Sequence, residues 1–186
     1  MKKAHNSKGK DKGKASAQYR WALTVFLMAV ALSGVLSLAS EAMLDGAGVA
    51  TALLLLAAFI GLGIVFDIIG VSVTAADPKP FHAMAAHKEK GAKEALMLLR
   101  NAGRVSSVCN DVVGDICGIV SGATGAVIVT QLQRALNLRS VLISVGVTAL
   151  VSGLTIGGKA LGKTVAISRS TKVVYLAGRI LHIFHI

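Results

Sequence analysis

GAGVATALLLLAAFIGLGIVF, residues 46–66, runs for 21 residues without a charge. About 20 such residues cross the hydrocarbon core of a bilayer as a helix. Three further uncharged runs flank it at 21–40, 116–133 and 140–158, each 18 to 20 residues long. One apolar helix can hide inside a soluble domain, but four in a chain of 186 residues leave nothing to cover them. The composition agrees, with 54% hydrophobic residues, 16% charged residues and a mean hydropathy of +0.68. The expected fold is an all-α membrane protein with four transmembrane helices, at about 21–40, 49–73, 107–131 and 141–159. The leader MKKAHNSKGKDKGKASAQYR is long, and the first run exceeds the apolar core of a usual signal peptide. That run is therefore read as a retained span.

Charge sets the expected topology. Residues 1–20 carry seven Lys/Arg against one Asp, residues 74–104 carry six against three acids, and residues 159–186 carry five with no acid. The link at 41–46 has two acids and no base. The positive-inside tendency puts both termini and the 74–104 loop in the cytoplasm of a cell-membrane protein, with Arg134 and Arg139 dissenting on the outer side. A net charge of +11 can serve nucleic acid, but aromatics are only 4% and no binding motif accompanies the charge. Anionic lipid headgroups are the simpler partner.

The leader, rich in Lys, Gly and Ser, reads as a disordered cytoplasmic tail over 1–20. Asp77-Pro78-Lys79-Pro80 ends the second helix. Within the juxtamembrane segment 77–104, residues 81–86 and 92–99 read as short helices separated by Gly91. Residues 168–186 place Val173, Leu176, Ala177, Ile180 and Phe184 on one stripe of a terminal amphipathic helix. That helix either lies in the interface or packs on the bundle.

Within or beside the spans 21–167 stand four ionisable residues: Asp67, Asp111, Asp115 and Lys159. A charge at a helix centre costs roughly 2.5–3.5 kcal/mol on insertion scales, so such residues are usually paired or functional. In NDVVGDICGIVSG, residues 110–122, Asp111 and Asp115 are one turn apart, and Ser107 extends the same face. This ladder of oxygens suits magnesium or calcium. It equally suits a partner for a buried base or a wet helix mouth. Gly114, Gly118 and Gly122, with Gly153, Gly157, Gly158 and Gly162, form small-residue stripes for close helix packing, within the chain or across a homodimer. Cys109 and Cys117 are about 12 Å apart along one helix, too far for a disulfide, and read as packing residues. No catalytic triad order, phosphate loop or HExxH occurs, so no enzyme is expected.

From about residue 61 to 184 the order of motifs resembles the transmembrane domain of the CNNM/CorB/CorC magnesium transporter family. GAKEALMLLRNAGR matches the family's basic juxtamembrane helix, and Gly114-Asp115 in VGDICG falls where the family has Gly-Asn. GGKALGKTVAISRSTKVVYLAGRILHIF follows its third motif and the helix after it. The resemblance implies an intramembrane Mg²⁺ site, with Asp67, Ser107, Asp111 and Asp115 as oxygen ligands and alternating exposure. Four departures accompany it. The family's coordinating glutamate falls at Lys159, its proline at Gly162 and its asparagine at Asp115, and the sequence lacks the family's CBS pair. Two functions follow. The first is divalent cation binding or transport, with Lys159 modulating the charge. The second is a non-transporting scaffold or accessory subunit, in which Lys159 replaces the cation and the basic cytoplasmic face recruits lipid or a protein partner.

Overall fold

The computed structural model describes residues 5–46, 48–137 and 141–184, with side chains from residue 19 onward. The described residues are almost entirely helical and contain no strand. Helices α1 (His5–Leu44), α2 (Val49–Ala75), α3 (Lys79–Ala86), α4 (Ala92–Arg100) and α5 (Ala102–Ser107) lead into a π-helical segment, Val108–Gly114. Helices α6 (Asp115–Ala135), α7 (Val141–Ser168) and α8 (Ser170–Phe184) complete the chain. Four stretches are long and apolar enough to cross a membrane: Tyr19–Leu44, Val49–Ala75, Ala102–Ala135 and Val141–Ser168.

Two helices run further than the sequence predicts. The α1 backbone is helical from His5, through most of the stretch read as a disordered tail. Once the apolar span nucleates a helix, each added residue gains a hydrogen bond, and the Lys, Ala and Gln of the leader are good helix formers. Likewise α7 continues past Lys159 to Ser168 because no proline interrupts it. By contrast α2 stops at its C-cap Ala76, just before Asp77-Pro78. The Asp77 carboxylate then accepts the Lys79 N–H at 3.0 Å and opens α3.

Helix α2 is the centre of the bundle and packs against α6, α7, α5, α8 and the π-helical segment. Leu55 and Phe59 of α2 meet Val112, Ile116, Cys117 and Val120, with α1 laying Val25, Leu32 and Leu36 over them. Ala52 and Leu56 meet Ile128 of α6 and Val151 of α7. A third cluster ties the end of α2 to the short helices through Val73, Phe81, Ala95 and Val174. Both cysteines are buried and unpaired, as packing residues should be.

Lipid tails are as apolar as leucine, so close approach rather than hydrophobicity drives such helices together. Here the approach is made by Gly158 and Gly162 of the α7 stripe and by Gly63, which lies outside the stripes. A methyl on Gly63 of α2 would lie 3.1 Å from the Cys117 Cβ, and one on Gly162 of α7 would lie 3.0 Å from Ile68. Gly118, Gly122, Gly153 and Gly157 meet nothing within 4 Å and leave an open small-residue surface. Polar contacts are few. The Ser72 hydroxyl donates to the Ala166 carbonyl at 3.1 Å, a buried link from α2 to α7. Ser72→Ala is expected to lower stability by about 0.6–1 kcal/mol, read from thermal unfolding in detergent.

Of the two readings of the terminal helix, packing on the bundle is the one the contacts show. Val174 and Gly178 are buried against α4 and α2, while Leu176, Ile180 and Phe184 of the predicted stripe face outward. His182 Nδ1 lies 2.8 Å from the Glu94 carboxylate and fastens α8 to α4.

Candidate cation site

The π-helical segment lies between α5 and α6 and faces α2. A π turn hydrogen-bonds i to i+5, interrupts the regular ladder and is often found at functional sites. Here it buries Cys109, Val112 and Gly114 and presents Asn110 to α2. The Asn110 amide nitrogen donates to Ser106 Oγ at 3.2 Å, whereas its Oδ1 is buried without a partner. That side chain fills the space over Gly70, where an added methyl would collide with the amide. Gly70→Ala should evict Asn110 and cost about 1–3 kcal/mol of stability, measured by thermal unfolding.

Asp67 stands three residues before Gly70, one turn along the same face of α2. It is only 5% exposed, and its Oδ2 is buried with no hydrogen-bond partner. Two acceptor oxygens without donors therefore share the seam between α2 and the π-helical segment. Buried acceptors are nearly always satisfied, and a buried ionised carboxylate is costly without a counter-charge. Such a pair calls for a donor or a positive charge, which a proton on the carboxyl, a water or a cation would each supply.

The other expected ligands are placed differently. Asp111 and Asp115 are both exposed on the outward face of the helix, and Ser107 is half-buried beside them. Lys159 reaches across from α7 and sets its Nζ 3.9 Å from the Asp115 carboxylate, close against Gly114. Its partner is thus Asp115, and no ion pair joins Lys159 to Asp67 or Asp111 among the described residues. Among those residues no three Asp, Glu, His or Cys side chains gather closely enough to hold a metal ion. The structure brings together Lys159 and Asp115 and leaves Asp67 apart, with Asn110 as its neighbour on the seam.

The sequence reading did not single out Asn110. A regular helix over 107–115 draws attention to the face of Ser107, Asp111 and Asp115 and away from Asn110. The one available signal was an amide next to two acids in an apolar span. No family model, curated protein or solved structure matches the chain.

Proposed function

We propose that this chain is a multi-pass membrane protein that binds a cation between α2 and the π-helical segment. Asp67 supplies the charge and Asn110 an amide oxygen. The carrying observation is the pair of buried, unpartnered oxygens, Asp67 Oδ2 and Asn110 Oδ1. Hard oxygen ligands favour Mg²⁺ or Ca²⁺ over softer metals. The resemblance to CNNM/CorB-type proteins makes Mg²⁺ the leading cargo and transport the leading activity. Asp111, Asp115 and Ser107 then belong to the polar approach to the site rather than to its inner ligands. The charge distribution supports a cytoplasmic side for both termini and α3–α4 in the cell membrane. The open surface of Gly118, Gly122, Gly153 and Gly157 offers a second copy a close packing face.

A second reading rests on Lys159. Its ammonium lies against the π-helical segment and beside Asp115, where the family resemblance puts a cation ligand. In that case the chain is a scaffold or accessory subunit whose site is closed by its own lysine. Liposome flux separates the two readings. Uptake of Mg²⁺ into vesicles holding a magnesium-sensitive dye should depend on the wild-type protein and vanish in Asp67→Asn. Lys159→Met should leave uptake intact or raise it. Flux absent from the wild type and gained only in Lys159→Glu would establish the scaffold.

A further inference from the structure

A cavity of about 370 Å³ opens where α2 ends and α5 begins, within the usual range for ligand pockets. Its walls are apolar and include Val73 of α2 with Leu96 and Leu99 of α4. Thr74, His82 and Arg100 supply its polar lining. The second candidate span ends at Ala75 and the third begins at Ala102, so the cavity lies at the edge of the hydrocarbon layer. One turn beyond Arg100, the Arg104 guanidinium sits 5.2 Å from the centroid of the Trp21 ring. Tryptophan favours the headgroup level, which places the same boundary independently.

Arg100 has no carboxylate partner among the described residues. Glu94, on the same helix, lies 2.8 Å from His182, and Asp77 accepts the Lys79 N–H at 3.0 Å. An uncompensated guanidinium at the rim of an apolar pocket, at headgroup depth, matches one chemistry. It fits a phosphodiester with an acyl chain attached, since arginine forks onto phosphate oxygens and the walls take methylenes. We infer that this cavity binds an anionic phospholipid, its phosphate on Arg100 and His82 and its acyl chain against Leu96 and Leu99. The lipid joins the end of α2 to α3 and α4 and fixes the juxtamembrane helices to the leaflet. This inference stands apart from the cation reading, because it uses none of the same residues.

The test is native mass spectrometry of the full chain in detergent, titrated with dioleoyl phosphatidylglycerol or dioleoyl phosphatidylcholine. Phosphatidylglycerol should bind more tightly. Arg100→Gln should weaken it about fivefold, the scale of one basic residue at an anionic surface. Lys93→Gln, the same charge change on α4 outside the cavity, should leave binding unchanged, and Arg100→Lys should retain most of it. Equal weakening by Arg100→Gln and Lys93→Gln would reduce the effect to bulk charge and overturn the site. So would equal binding of the two lipids. Displacement of phosphatidylglycerol by equimolar glycerol 3-phosphate would overturn the lipid assignment in favour of a soluble phosphate.

Discussion

Gly178→Val will separate α8 from the bundle and lower stability by about 3 kcal/mol, the upper end of overpacking costs. A Cβ at Gly178 would lie 2.5 Å from the Gly91 carbonyl oxygen and 2.9 Å from the Ala95 nitrogen. Both obstructing atoms are backbone, so no rotamer change relieves the contact. The opposite side of the contact is equally fixed. Gly91 sits at φ +88° as the N-cap of α4, in the left-handed region that costs other residues about 1–2 kcal/mol. A methyl there would meet the Arg179 nitrogen at 2.7 Å. Gly91→Ala is therefore expected to match the Gly178 variant, whereas Gly118→Ala, with nothing within 4 Å, should cost nothing in the single chain. Thermal unfolding in detergent reads the loss. Faster tryptic cleavage at Arg179 would locate it in α8, because Val174 and the fully buried Phe81 lose their shared packing.

Asp67→Asn will make the metal-free protein more stable than wild type, by about 1–2 kcal/mol in EDTA, and will abolish its response to Mg²⁺. The carboxylate Oδ2 is buried without a donor, and leaving such a group unsatisfied costs about 1–3 kcal/mol. Asparagine keeps the shape, removes the charge and brings an N–H₂ donor to a seam that already holds the unpartnered Asn110 Oδ1. The cation does the same for wild type only when present. At a hundred times Kd, binding adds about 2.7 kcal/mol, so the order of the two proteins should reverse on adding metal. Such a reversal separates a ligand from a residue that merely packs. A structural aspartate would leave the variant weaker under both conditions.

Much of this architecture was legible in the sequence. Uninterrupted apolar runs near 20 residues have one common solution, and Asp77-Pro78 can only end a helix where it stands. Gly91 between two short apolar-periodic segments marked the α3–α4 junction, and the fold places it at the left-handed cap. The site was less legible. A seven-residue π turn leaves no periodic trace, so Asn110 was passed over, and the side on which Asp111 and Asp115 stand, left open by their spacing, proves to be the exposed one. The glycine stripes were legible only in part. Spacing shows which residues share a face, not which face meets a neighbour: Gly158 and Gly162 of the α7 stripe make close contacts with α2, whereas Gly118 and Gly122 of α6 make none. Asp67 needed no geometry to stand out, because a carboxylate near the end of an apolar run is costly wherever the helix turns it.

The most direct measurement is a Mg²⁺ titration of the purified protein in detergent, following thermal stability in wild type, Asp67→Asn and Lys159→Glu. A saturable rise in wild type that Asp67→Asn abolishes is the expected result. A wild type indifferent to Mg²⁺, with a rise only in Lys159→Glu, would contradict it and give the site to the lysine.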